Sequence, residues 1–223
     1  MFYQAKSTCL YCDHHFTTTK VKVSKAKVTQ RDSDFCIHYD GPNPLFYDIT
    51  ICPTCGFAFY NSYRKLTNYQ REKLTKMYIN KINITNMTEE RSLEQAIHSF
   101  KLALLTARIV NERKFITANL ALKLAWLYRF AGDHEQELRF LKLALKDYVA
   151  MLANEDIAQE DVDEDRLIYL MAELNTRLGQ YEEARKLFSL LISGKTVSPR
   201  YKSLAIDRWQ EYKSAINEEK SPN

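Results

Sequence analysis

A chain of 223 residues, 45% hydrophobic and 27% charged, can build one large domain or a small head on a larger body. Its formal charge is only +4, and no stretch approaches the roughly 18 uninterrupted apolar residues that a membrane span needs. The start MFYQAKSTCLYC lacks the apolar run of a signal peptide, so a cytoplasmic protein is expected, and its five cysteines point to metal or thiol chemistry rather than to disulfides.

Breakers are unevenly spread. Pro42, Pro44, Pro53, Gly41 and Gly56 all fall early, and the rest of the chain is poor in both residue types, which favours long helices. Two cysteine pairs stand at Cys9-Leu-Tyr-Cys12 and Cys52-Pro-Thr-Cys55. A two-residue spacing lets one tight turn aim both sulfurs at a single ion, and two such knuckles supply the four thiolates of a tetrahedral site. One structural Zn²⁺ per chain is expected on Cys9, Cys12, Cys52 and Cys55. Four thiolates on one Zn²⁺ remove two charges, leaving the metallated chain near +2, which weakens any inference from global basicity to nucleic acid.

The 39 residues between the knuckles are too many for a short ribbon and must hold strands of their own. Thr17 to Val23 alternates, with Val21 and Val23 on one face, and the phase breaks at Ser24, where a bulge or turn is expected. Gly41-Pro42-Asn43-Pro44 reads as a turn, and Leu45 to Ile51 as a strand entering the second knuckle. From His14 to Arg31 there are five Lys or Arg and no acid, a ribbon that can meet phosphates or simply protect a solvated strand edge. His14 and His15 are expected at the surface. Cys36 and His38 alternate along one strand and so share a face. They suit an exchangeable ligand pair, a redox thiol or part of a second metal site; a small buried cysteine beside a satisfied histidine is the plainer alternative.

Beyond residue 66 the period becomes helical. Helices are expected over about 68–81, from Thr88-Glu89-Glu90 onward, and over 114–131, 135–153, 164–178 and 181–193, with a last one starting at Ser198-Pro199. Gly132, Gly179 and Gly194 mark stops. Seven of residues 155–165 are acidic; this stretch reads as a solvated linker that also supplies acids to the next helix start. Ala172, Gly179, Tyr181, Ala184 and Phe188 form a pattern of small residues and a gap-filling ring that resembles the tetratricopeptide repeat. Ala121, Ala125, Tyr128, Gly132, Leu141 and Ala144 repeat it, with Glu137 at the expected small position, and the tail from Glu218 is expected to fray.

Head and body together resemble a bacterial family known only as a domain of unknown function. The resemblance rests on the first CxxC, on Arg31-Asp32-Ser33-Asp34-Phe35-Cys36, on Asn43-Pro44-Leu45-Phe46-Tyr47-Asp48 and on Cys52-Pro53-Thr54-Cys55-Gly56-Phe57. It implies zinc and helical repeats and no particular reaction. The expected architecture is mainly α: a small β zinc-ribbon-like head over residues 1–64, then an α-helical tetratricopeptide-like repeat solenoid over residues 65–223.

The corresponding function is binding. A solenoid groove would present Asn119, Leu122, Trp126, Arg129 and Phe130 from one repeat and Arg166, Tyr169, Glu173, Thr176 and Arg177 from the next. Arginine forks and aromatic anchors suit an acidic or C-terminal peptide segment of a protein partner, unless the last helix or the zinc head fills the groove. Alternatives are a nucleic-acid-associated regulator using the basic ribbon and a thiol redox sensor at the zinc. An enzyme is not expected, because four thiolates leave zinc no open position and the Cys36/His38 pair has no evident third group to orient it.

Overall fold

Three antiparallel strand pairs occupy the first 59 residues, and the described residues beyond them are mainly helical. The computed structural model describes residues 1–83, 87–154 and 162–219. Strand β1 (Phe2–Thr8) pairs with β2 (His15–Val21), β3 (Lys27–Arg31) with β4 (Ile37–Asp40), and β5 (Thr50–Ile51) with β6 (Ala58–Phe59). A 3-10 turn over Val23–Lys25 ends the β2 run, so the expected break at Ser24 is present. It turns the chain one residue earlier than the alternation implied: Val21 is buried, whereas Val23 is 65% exposed.

The strand expected over Leu45 to Ile51 is mostly a 3-10 turn, Pro44–Tyr47. The Asn43 side chain accepts from the Leu45 N–H, and Pro44 fits the first turn. Only Thr50–Ile51 remains extended.

Helix α1 (Asn68–Met77) is opened by a capping box between Thr67 and Gln70. Helix α2 (Leu93–Ile109) begins later than the Thr88 acids suggest, because Ser92 and Gln95 form the capping box there. Then follow α3 (Lys114–Phe130), α4 (His134–Asn154), α5 (Glu164–Arg177), α6 (Tyr181–Ser193) and α7 (Pro199–Glu219). No described helix is long and apolar enough to cross a membrane. Residues 155–161 of the acidic stretch and 220–223 of the tail lie outside the described residues. The remaining acids behave as expected at a helix start: Asp163 caps α5, its side chain accepting from the Arg166 N–H.

The chain divides into two compact units. The first comprises Met1–Asp32 and Cys36–Asp147; the second comprises Ser33–Phe35 and the chain from Tyr148 onward. Residue 64 lies inside the first unit, where the strands are bonded to the first helices through side chains. Tyr78 donates to the Gly56 carbonyl (2.8 Å), Thr106 to the Ala58 carbonyl (2.7 Å), and Tyr11 and Thr75 share a hydroxyl–hydroxyl bond (2.7 Å). Arg91, itself buried, donates to the carbonyls of Met87, Ile49 and Phe46. Ile49, Phe57, Leu74, Phe100, Leu120, Leu124 and Leu127 fill this unit's interior, each contributing about 1.5–3 kcal/mol by leaving water.

In the second unit α5 packs on α6 and α6 on α7. Ala172 and Ala184 are fully buried, which lets the paired helices approach closely, and Tyr169, Phe188 and Tyr201 surround them. Phe35 joins this cluster, its ring 5.6 Å from that of Tyr169.

Candidate metal centre

The two CxxC segments fold into the same local shape. In the first, the Asp13 N–H donates to the Cys9 carbonyl (3.0 Å) and the Cys9 N–H to the His14 carbonyl (2.9 Å). In the second, the Gly56 N–H donates to the Cys52 carbonyl (2.9 Å) and the Cys52 N–H to the Phe57 carbonyl (3.0 Å). Each knuckle closes on a left-handed residue just after its second cysteine: Asp13 at φ 58° and Gly56 at φ 72°. Gly56 takes that conformation freely, and Asp is among the few other residues that tolerate it. The first knuckle, with Asp13 where the second has Gly56, therefore keeps the same geometry.

The knuckles meet. Cys9 Sγ lies 3.6 Å from Cys55 Sγ, Cys12 Sγ lies 3.7 Å from Cys52 Sγ, and all four sulfurs lie within 4.8 Å of one another. This group could hold a metal ion. Backbone N–H groups of Tyr11 and Cys12 point at Cys9 Sγ (3.4 and 3.5 Å), as thiolates require. Without metal, the hydrogen bond from Cys55 draws the Cys9 thiol down to about 5, while the same bond holds the Cys55 proton far above the usual thiol range. Burial pushes Cys52 up. An ion would displace the protons that remain. His14 and His15 stay outside the cluster: His14 stacks on Phe16, and His15 Nδ1 bonds Thr8 Oγ1 (2.8 Å).

A second cluster is built by the β3–β4 hairpin. The Asp32 N–H donates to the Cys36 carbonyl (2.8 Å), which closes a three-residue loop over Ser33–Phe35. Phe35 sits at φ 69°, the left-handed position that such loops require. Paired residues on adjacent strands share a face, as do residues two apart on one strand. Asp32, Cys36 and His38 accordingly present their ligand atoms within 4.8 Å of one another. His38 Nε2 lies 3.0 Å from both Asp32 oxygens. Burial works against the Asp32 carboxylate, but the bonds to His38 and Arg129 outweigh it and hold its carboxyl below the usual range. Asp32 is thus a third group beside Cys36 and His38. Its position four residues before Cys36, across a hairpin loop, is the only sequence signal for it.

The family described as "Uncharacterized protein conserved in bacteria (DUF2225)" matches residues 2–216. The chain belongs to that family. No curated protein and no solved structure matches it.

In this family member the residues assigned to a groove are engaged by the chain itself. Arg129 Nη1 meets Asp32 Oδ2 (2.6 Å) and its Nε meets Glu137 Oε1 (2.8 Å). Arg177 Nε lies 3.2 Å from the buried Asp34, and the Arg166 guanidinium sits 5.0 Å from the centre of the Phe35 ring. Tyr169, expected to line an open face, is 1% exposed, because Phe35, Phe188 and Tyr201 enclose it. Asn119 Nδ2 donates to the Phe115 carbonyl on its own helix (2.8 Å), and Trp126 is half-buried. Arg208 on α7 grips Glu173.

The basic ribbon of this family member is also partly spent within the molecule. Lys27 pairs with Asp40 (2.9 Å). Lys20 turns inward to the Tyr47 carbonyl and Thr50 Oγ1, and burial first, then Arg91, press its pKa down to about 8. Nearby, burial disfavours charge on Lys123, but Asp48 (2.6 Å) and Tyr60 (2.9 Å) hold it as an ammonium and raise its pKa.

Proposed function

We propose that this chain is a zinc-binding protein-interaction module. Cys9, Cys12, Cys52 and Cys55 would hold one structural Zn²⁺, and the helical body would bind a protein segment that is acidic and aromatic. The observation that carries the metal half is the sulfur spacing. Zinc–sulfur bonds of about 2.3 Å in a tetrahedron set sulfur–sulfur edges near 3.8 Å, close to the 3.6 and 3.7 Å found across the two knuckles. Such a site is closed, so its role is to fasten the strand pairs to α1 and α2 rather than to activate water.

The binding half is supported by how the second unit receives Asp34 and Phe35. A carboxylate on Arg177 and a ring between Arg166 and Tyr169 form a small recognition site with its ligand supplied in the same chain. A partner would compete with this hairpin tip. The tetratricopeptide-like reading of the body belongs to the same proposal and rests on the close α5–α6 pair at Ala172 and Ala184.

The test uses the full chain as bait in native lysate, with mass spectrometry. Asp34→Asn with Phe35→Ala should raise recovery of one partner over wild type, and Arg177→Glu should abolish it. Equal recovery by all three would place the binding surface elsewhere. Metal analysis should find zinc that is lost on Cys52→Ser; zinc fully retained in that variant would defeat the four-thiolate assignment.

A further inference from the structure

The hairpin end that carries Asp32, Cys36 and His38 has more order than a hydrogen-bonded histidine needs. A thiol that is fully buried, an imidazole and a carboxylate converge on one point, His38 from a ladder position and Asp32 and Cys36 from the bonded pair just beyond the ladder's end. The 3.0 Å between His38 Nε2 and the Asp32 oxygens is within a few tenths of an ångström of the edge, about 3.3 Å, set by nitrogen and oxygen ligands on a tetrahedral ion. Sulfur bonds are longer, so Cys36 can stand slightly farther back.

Charge also fits. A carboxylate and a thiolate neutralise a divalent cation, and the imidazole adds none. Arg129, which holds Asp32 Oδ2, is itself balanced by Glu137, and Gln30 Nε2 donates to Oδ1 (2.9 Å); an ion would take the place of the proton between His38 and Asp32. Carboxylates that ligate metals are commonly oriented by such an outer partner. His38 is the accessible member, its side chain 30% exposed against 9% for Asp32, and the Phe130 ring stands edge-on to it at 5.2 Å.

We infer that Asp32, Cys36 and His38 form a second metal site, selective for a divalent transition-metal ion such as Zn²⁺, with Arg129 and Glu137 as positioning residues. Three protein ligands leave a fourth position for water or an incoming oxygen or sulfur ligand, which the four-thiolate centre does not. This site is therefore the exchangeable one of the two.

Purified full-length protein, loaded with Zn²⁺ and dialysed against a weak chelator, should retain two equivalents. Cys36→Ala and, independently, Asp32→Asn should each retain one. With Co²⁺ as probe, the wild-type spectrum minus that of Cys36→Ala should show a band of single-thiolate intensity, which a purely structural Cys36 would not produce. Wild type holding one equivalent that survives Cys36→Ala overturns this site and leaves the four-thiolate centre standing. One equivalent that is lost on Cys36→Ala but kept by Cys52→Ser supports this site and overturns the other. Two equivalents retained by both Cys36→Ala and Asp32→Asn overturn it as well.

Discussion

Arg208 closes a two-pronged ion pair on Glu173, Nε to Oε1 at 2.7 Å and Nη2 to Oε2 at 3.1 Å, across a carboxylate with no solvent exposure. The pair is a polar tie from the last helix to α5. Removing one partner of a buried pair strands the other charge. Arg208→Ala should therefore destabilise the protein by about 3 kcal/mol, and Glu173→Gln in the same background should recover part of it. Urea unfolding of the two variants measures both; a loss below about 0.5 kcal/mol would mean that water reaches Glu173.

Asp34 is equally enclosed, and Arg177 answers it. Asp34→Asn keeps the shape and removes the charge, so about 2–3 kcal/mol should be lost, with metal content unchanged. Metal lost together with stability would show that the tip is coupled to the Asp32–Cys36–His38 group that flanks it or to the four cysteines.

Chelation of zinc, or Cys52→Ser, should remove near-ultraviolet aromatic signal from Tyr11, Phe57 and Tyr78 while most far-ultraviolet helical signal persists. The reason is local: Tyr78 bonds the Gly56 carbonyl in the second knuckle, whereas the Tyr169–Phe188–Tyr201 cluster belongs to the other unit. Complete loss of helix on chelation would contradict this division.

Asp13 is exposed and left-handed, and its contact with Arg71 is long at 3.7 Å. Asp13→Gly should keep the metal and gain up to ~1 kcal/mol, while Asp13→Val should lose at least that much, since a branched side chain resists this backbone. Thermal melts with metal analysis decide; equal stability of the two variants would rule the backbone argument out.

Lys20 has a folded pKa near 8 against an ordinary 10.5. Burial is the main cause and Arg91 adds to it, while Asp48 works the other way. Between those values the unfolded chain binds more protons, so stability rises with pH through that window, and the destabilisation is fully present below it. Lys20→Met removes this dependence. Unfolding free energies of the two proteins should differ most near neutral pH and converge toward pH 10; a difference that stays constant would show that Lys20 does not titrate there.

What could be read beforehand follows the range of each interaction. The CxxC spacings and the run Tyr181–Ser193 are local facts, and the structure has the cysteines clustered and α6 over those same residues. Strand β1 was not legible, because Phe2–Thr8 carries little alternation and gains its role from pairing with β2. The Leu45–Ile51 stretch misled because its apolar content says strand while Asn43 and Pro44 say turn, and the local cap won. The contacts that Arg129 and Arg177 make within the chain were not legible, because their partners, Asp32 and Asp34, lie far earlier in the sequence. Helical periodicity shows that a face is charged; it does not show what that face already holds.

The short excursion at Ser33–Phe35 also sets a timetable. Asp34 precedes Arg177 by 143 residues, so at the usual ~5–20 residues per second of synthesis its docking site emerges about 7–30 seconds later. Until then a carboxylate that ends up buried and a ring that ends up partly covered stand exposed on a finished hairpin. The second unit must then close a loop of more than a hundred residues before its core is complete, a slow kind of contact to form. A nascent chain halted before α5 would display the Asp34–Phe35 tip to any surface able to receive it.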